Sequence, residues 1–281
     1  MVKRTLKELT LKDNFMFGAV MSDEENCRRL LEMILQFPIA RVEVSKEKNI
    51  IYHPEYKGIR LDIYAKDENN THYNVEMQAV YETALGKRAR YYHSQIDMEL
   101  LQSGAGYTEL PDTYVIFICD FDPFGERKYC YTFEQRCQES DAICINDGSR
   151  SIFLSTRGEN LDDVPTTLVK FLEYVRADLS ESQKDFGDEY VATLQKSVQH
   201  IKSKREMEER FMFWHLQLMD ERREGKAEGK AEDILELLSD LGDVSEELHD
   251  RIMREKDLSV LKSWVRIAAK AETVEQFIQE M

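Results

Sequence analysis

Two strand-like segments on either side of a short polar tract constrain the fold of this chain more than any other feature. The segments IRLDIYA (residues 59–65) and HYNVEMQAV (72–80) are rich in the residue types that favour strands. The tract between them, KDENNT (66–71), is rich in residues typical of turns. The pattern predicts a β-hairpin, and therefore a fold that contains a sheet.

The predicted hairpin carries acidic side chains on one face. Because side chains alternate along a strand, Asp62, Glu76 and Gln78 point to one side and the apolar residues to the other. If the chain folds about the middle of the loop, Asp62 lies opposite Glu76 or within one residue of it, with Cβ atoms roughly 5 Å apart. Such like charges repel, and a hard divalent cation bound by carboxylate oxygens would offset the repulsion. The alternative is two exposed acids on a solvent-facing strand.

The rest of the sequence predicts a mixed α/β core followed by helices. An apolar series at helical spacing runs through residues 82–103, and TYVIFICDF (113–121) is apolar enough for a strand buried on both faces. The order helix, hairpin, helix, buried strand and further strands is typical of an α/β domain. GKAEGKAE (225–232) repeats a four-residue unit, and its glycines indicate a weakly helical linker.

Composition restricts the class of protein. The chain of 281 residues is 42% hydrophobic and 33% charged, which suits a soluble globular protein with one main domain and an appendage. It has no apolar run of membrane-spanning length and no secretory signal, so we expect no membrane partner and a cytoplasmic location. The five cysteines form no CxxC pair, which favours reduced thiols over disulfides or zinc. A net charge of −16 argues against a protein that coats nucleic acid electrostatically and leaves only local contacts.

Several blocks, taken in order, resemble one family. They are DNFMFGAVM (13–21), RLDIYAKDENNTHYNVEMQ (60–78), RARYYHSQ (88–95), GAGYTELPDTYVIFICDFDPF (104–124), YTF (131–133) and the GKAEGKAE repeat before a helical tail. The chain resembles the PD-(D/E)xK phosphodiesterase superfamily, and within it the recombination-promoting nuclease family of transposase-like proteins. The resemblance implies a restriction-endonuclease-like mixed sheet flanked by helices. The expected organisation is a nuclease-like domain (1–180), a long charged helix (181–224), the linker (225–232) and a small helical appendage (233–281).

The resemblance also assigns the site. Asp62 matches the aspartate of the motif, Glu76 its second acid, and Gln78 stands where lysine is usual. In such enzymes the two carboxylates and the carbonyl that follows the glutamate, here that of Met77, hold Mg²⁺, with Mn²⁺ as an alternative. Gln78 can orient a water molecule but brings no charge, which implies slow chemistry or dependence on a second cation.

Four further residues are candidates for accessory roles. Arg88, Tyr91 and Gln95 share a helix face by their spacing and could contact DNA, although packing or a solvated stripe explains them as well. Asp13 stands where superfamily members can supply an accessory acid, and helix capping is the simpler alternative.

Three functional hypotheses follow from the sequence. The first is a Mg²⁺-dependent DNA endonuclease that leaves 3′-hydroxyl ends, as the resemblance implies, linked by family to recombination or mobile elements. The second is a nuclease-fold protein that has lost catalysis and acts as a nucleic-acid-binding or oligomerising module. The third makes the C-terminal helices the working part: the apolar stripe at Leu258, Leu261, Trp264 and Val265 is the expected surface for homo-oligomer formation.

Overall fold

The structure is a computed structural model that describes residues 5–50 and 58–281, without the side chains of residues 46, 47 and 141. The chain divides into two compact units, one that ends at Glu208 and one that spans Glu209–Met281. Each unit is described by itself.

A mixed six-stranded sheet is the centre of the first unit. Its strands lie in the order β1-β2-β3-β4-β8-β5, with β3, β4 and β8 parallel and the other neighbours antiparallel. A two-stranded ribbon, β6-β7, lies outside it. The strands are β1 Val42–Ile50, β2 Ile59–Asp67, β3 His72–Gln78, β4 Thr113–Cys119, β5 Cys130–Phe133, β6 Arg136–Cys137, β7 Ser140–Cys144 and β8 Ser149–Ser155.

In the described part of the first unit, the sheet is flanked by the helices α1 Asn14–Met21, α2 Glu24–Leu35, α3 Leu85–Leu100, α4 Thr166–Arg176 and α5 Glu189–Ser203. Helix α2 begins after Asp23, whose carboxylate accepts a hydrogen bond from the N–H of Asn26 at 3.0 Å. Helix α3 packs against β1 and β4. The mixed α/β fold with flanking helices confirms the fold class predicted from the sequence.

The predicted hairpin forms from β2 and β3. The Asp67 carboxylate holds its loop by accepting hydrogen bonds from the backbone N–H groups of Asn69 and Thr71, and Asn70 adopts a left-handed φ of 66°. The strand β4 is buried along its whole length, as its continuous hydrophobicity predicts. In β3, however, every residue from His72 to Met77 is buried, so the acidic face of the hairpin is not a solvent-facing surface.

The second unit consists of most of α6 Arg205–Ser239 and of the short helices α7 Glu246–Arg254, α8 Leu258–Ala268 and α9 Val274–Glu280. Their apolar residues share one core. Among the described residues, none of the helices combines the length and the apolar character needed to cross a bilayer.

Two predictions for the C-terminal region are wrong. The long helix 181–224 is absent: α5 ends at Ser203, and α6 then continues through the supposed linker 225–232. Ala227 and Ala231 of the repeat are buried in the core of the second unit, and this packing offsets the helix cost of the two glycines. Leu261 and Trp264 of the stripe expected to be an assembly surface also lie in that core, and Leu258 and Val265 are partly buried against it; homo-oligomer formation stays a prediction.

Candidate active site

The two carboxylates predicted from the sequence meet where the β2–β3 ladder ends. The last paired residues are Ile63 and Val75, and the next step of the same register places Asp62 opposite Glu76. Side chains replace the backbone ladder at this step. The N–H of Asp62 donates to Oε1 of Glu76 at 3.2 Å, and Oδ2 of Asp62 accepts from the N–H of Met77 at 3.3 Å. Each carboxylate is therefore fixed by the opposite strand.

Arg88 closes the site from α3. Its guanidinium donates to Oε2 of Glu76 at 3.0 Å and to Oε1 of Gln78 at 3.1 Å, and its Nε donates to the hydroxyl of Tyr92 at 2.6 Å. The Glu76 side chain is 2% exposed, while that of Arg88 is 35% exposed. The guanidinium thus pairs with a buried carboxylate, while part of the Arg88 side chain stays open to solvent.

Gln78 orients Arg88. Its amide oxygen accepts from the guanidinium, and its amide nitrogen donates to the carbonyl of Val80 at 3.0 Å. These two contacts use the amide for positioning a cation, whereas the sequence predicts that it positions a water molecule. The structure thus places the positive charge of Arg88, from a helix, beside the position at which the resemblance leads us to expect a lysine.

Glu76 is the electrostatically perturbed group of the site. Burial raises its pKa above the ordinary value of a glutamate, and the neighbouring Asp62 raises it further, while Arg88 lowers it. The net shift is upward, because a single cation does not compensate for both desolvation and a second carboxylate. A strongly perturbed acid beside a second acid is typical of functional sites.

The donor set is compatible with a small divalent cation. Mg²⁺ prefers oxygen ligands and is commonly held through one or two carboxylates, with water completing its coordination. Asp62 and Glu76 offer two carboxylates, and their repulsion, visible in the raised pKa of Glu76, is the imbalance that a cation would remove. A group of three or more acidic, histidine or cysteine side chains suited to a metal is absent from the described part of the chain. Any metal ion would therefore be bound by the carboxylates of Asp62 and Glu76, with the Met77 carbonyl as the remaining predicted ligand.

The other predicted residues divide between the site and the scaffold. Arg88 reaches the carboxylates, but Tyr91 packs half-buried against the core beneath α3, and Gln95 is buried, which leaves it little surface for DNA. Asp13 is the N-cap residue of α1, and its Oδ2 accepts from the N–H of Thr10 at 2.6 Å. Among the described residues, the Asp13 side chain makes no capping hydrogen bond to α1 and instead braces the turn before it, and an accessory catalytic role for Asp13 stays a prediction.

A second charged cluster, which the sequence does not indicate, lies at the same end of the sheet. The N–H of Asp120, just after β4, donates to the carbonyl of Gln78 at 3.0 Å. The Asp120 carboxylate pairs with Lys12 at 3.0 Å and with Arg157 at 3.3 Å. These three residues are far apart in sequence, so the only available signal was the position of Asp120 at the end of a buried strand, which by itself predicts a turn.

The geometry agrees with a comparison with known protein families. Residues 11–143 match the model of the family described as PD-(D/E)XK nuclease family transposase. The matched segment contains the whole constellation from Asp62 to Tyr92, and this part of the chain is similar to that family. The resemblance drawn from the sequence is thereby confirmed. No curated protein and no solved structure gives a significant match.

Proposed function

We propose that this protein is a metal-dependent DNA endonuclease that hydrolyses phosphodiester bonds and leaves 3′-hydroxyl ends. The observation that carries the proposal is the interlocked pair at the end of the β2–β3 ladder, where Asp62 and Glu76 each hydrogen-bond the opposite strand and Arg88 covers Glu76. The family match over residues 11–143 supports a nuclease or transposase-related function. A role in recombination or mobile elements is part of the same proposal.

Each residue has a distinct part in the proposed reaction. Asp62, Glu76 and the Met77 carbonyl would hold Mg²⁺ or Mn²⁺, and the bound cation would supply Lewis acidity and a water of lowered pKa. Arg88 would stabilise negative charge that develops on the phosphate, because its guanidinium lies beside the carboxylates and its side chain is partly exposed. Gln78 keeps that guanidinium in place through its amide oxygen.

Plasmid nicking by the full chain in Mg²⁺, Mn²⁺ and EDTA tests this proposal. Asp62→Ala and Glu76→Ala should each abolish metal-dependent nicking, since each removes one of the two carboxylates. Gln78→Lys should preserve or raise nicking, because the lysine itself would supply the positive charge beside the carboxylates in place of Arg88, which loses its amide acceptor. A matched control is Glu126→Ala, at an exposed loop position of the same unit. If Asp62→Ala and Glu76→Ala cut as well as the parent protein, the site assignment fails.

One observation favours a second candidate function, that of a nuclease-fold protein that binds DNA without cutting it. Both carboxylate oxygens of Glu76 already have partners, because Oε1 accepts from the N–H of Asp62 and Oε2 pairs with Arg88, and a metal would have to compete with these contacts. Absence of nicking in both Mg²⁺ and Mn²⁺, together with measurable DNA binding, would select this function over the endonuclease.

A further inference from the structure

The sheet face that carries Glu76 continues into a row of aromatic side chains. Residues paired across a sheet point to the same face, and the register joins Glu76 to Phe117, Phe117 to Phe153, and Phe153 to Tyr131. The rings of Phe117 and Phe153 stack with their centres 5.3 Å apart and an interplanar angle of 9°. The guanidinium of Arg88 lies 5.7 Å from the centre of the Phe117 ring. The Arg88 guanidinium and the stacked rings therefore connect Glu76 with Phe153, and the register continues the same face to the edge strand β5.

At that edge the row reaches solvent through two phenylalanines. The centre of the Phe124 ring lies 5.2 Å from that of Phe153 and 5.0 Å from that of Phe133. The ring centres of Phe133 and Phe153 are 5.6 Å apart. Phe124 is 43% exposed and Phe133 is 46% exposed. We call Phe124, Tyr131 and Phe133, with Phe153 beneath them, the aromatic patch. The rings beneath hold the two exposed phenylalanines in place, so stacking on them costs little ordering of side chains.

The loop that carries Phe124 is ordered by its own hydrogen bonds. The Asp122 carboxylate accepts from the N–H of Phe124 at 3.2 Å, from the N–H of Arg127 at 2.8 Å and from the hydroxyl of Tyr131 at 2.7 Å. The loop is thereby tied to β5. Phe124 is thus held in its exposed position by the hydrogen bonds of this loop.

Charge selects the kind of ligand. Arg127 pairs with Glu159 at 3.2 Å and Lys128 pairs with Asp163 at 3.2 Å, so these two cations beside the patch are already balanced by acids. The chain as a whole carries a net charge of −16. A duplex that tracks a protein through its phosphates needs many lysine and arginine contacts, whereas single strands also bind by stacking bases on aromatic rings.

The aromatic patch is close enough to the carboxylates for one DNA strand to reach both. Strand β5 is three strand spacings from β3, which at roughly 4.8 Å per spacing is about 14 Å. Stacked nucleotides rise about 3.4 Å each, so about four of them cover this distance. We propose that the aromatic patch binds unpaired bases of single-stranded DNA whose backbone passes the Asp62–Glu76 site. The inference rests on the proposed nuclease function and specifies its substrate as single-stranded or locally opened DNA.

Fluorescence anisotropy with the full chain in EDTA tests binding without cutting. The probes are a fluorescein-labelled oligothymidine of 12 nucleotides and a duplex of 12 base pairs. The parent protein should bind the single strand at least about fivefold more tightly than the duplex. Phe124→Leu or Phe133→Leu should weaken single-strand binding about fivefold or more, because leucine keeps an apolar side chain but has no ring on which a base can stack. Raising salt from about 50 to 200 mM should weaken it by less than about tenfold, as expected for few phosphate contacts.

Tyr107→Leu is the matched control. Tyr107 is 86% exposed and precedes β4, at the opposite end of the parallel strands from the carboxylates, so its replacement should leave binding within about twofold of the parent. Unchanged melting temperatures would establish that the phenylalanine variants fold. The inference is overturned if the parent binds no single strand, prefers the duplex, or binds an oligouridine more tightly than oligothymidine. It is also overturned if folded Phe124→Leu and Phe133→Leu bind like Tyr107→Leu. Metal-dependent nicking that requires Asp62 would survive any of these results, so the two proposals fail separately.

Discussion

Asp62→Asn should stabilise the metal-free protein, although it removes a residue proposed to act in catalysis. The substitution replaces a carboxylate by an amide of nearly the same shape, whose oxygen can still accept the hydrogen bond from the N–H of Met77. What it removes is a negative charge beside the buried Glu76. The expected gain in stability therefore reports the repulsion directly.

The size of the gain follows from Coulomb's law. Two unit charges about 5 Å apart repel by about 3 kcal/mol at an effective dielectric constant of about 20 and by about 1 kcal/mol in bulk water. Arg88 offsets part of the repulsion through its 3.0 Å contact with Glu76. We expect a gain of about 1 to 2 kcal/mol, which corresponds to a rise in melting temperature of about 2 to 8 °C for a domain of this size.

The gain should depend on pH with a defined sign. The pKa of Glu76 is higher in the folded protein than in the unfolded chain, so between these two values the folded state binds more protons, and the stability of the parent falls as the pH rises. The penalty is absent below about pH 4, where the acid is protonated in both states, and is complete above the raised pKa. Asp62→Asn removes one cause of the shift. Its advantage over the parent should therefore grow from pH 5 to pH 8.

Thermal unfolding in EDTA at pH 5 and pH 8, followed by circular dichroism, measures this difference. Glu126→Gln removes an exposed loop carboxylate of the same unit and should behave like the parent. Adding Mg²⁺ should raise the melting temperature of the parent, because a ligand that binds only the folded state stabilises it, and should leave that of Asp62→Asn unchanged. The reasoning is refuted if Asp62→Asn melts at or below the parent temperature at pH 8. A parent protein unaffected by high millimolar Mg²⁺ would refute the metal site.

Three further predictions concern other parts of the chain. Arg88→Met leaves the buried Glu76 without its ionic partner and should lower the free energy of unfolding by about 1 to 3 kcal/mol at pH 8 and by less at pH 5. This loss is below the usual cost for a fully buried pair, because Arg88 is 35% exposed. Equal losses at both pH values in denaturant titrations would contradict this prediction. Gly158→Ala should destabilise the first unit by about 1 to 3 kcal/mol, since the added Cβ would come within 2.3 Å of the Tyr129 ring. An unchanged urea midpoint would show that the backbone around Gly158 adjusts freely. Limited trypsin digestion should not cut first at Lys226, because this residue lies inside α6, and an early fragment that ends there would restore the linker predicted from the sequence.

The sequence by itself determined the hairpin, its loop and the position of the acid pair. Side-chain alternation and turn chemistry are local properties, so Asp62 and Glu76 could be placed opposite each other without knowledge of the rest of the fold. The continuous hydrophobicity of residues 113–121 likewise predicts a strand buried on both faces, and β4 is one. The family resemblance could be drawn because its blocks occur in order along the chain.

Only the tertiary structure decided what surrounds that pair. Arg88 was one of several residues on a helix face until the packing of α3 placed its guanidinium between Glu76 and Gln78. The joining of Glu76 to Phe153 across three strands depends on a strand order that local patterns do not encode. The C-terminal glycines illustrate the same limit, because helix propensity predicted a break and the packing of distant helices overrode it. Local rules fix which way a side chain points, whereas long-range contacts decide what it meets.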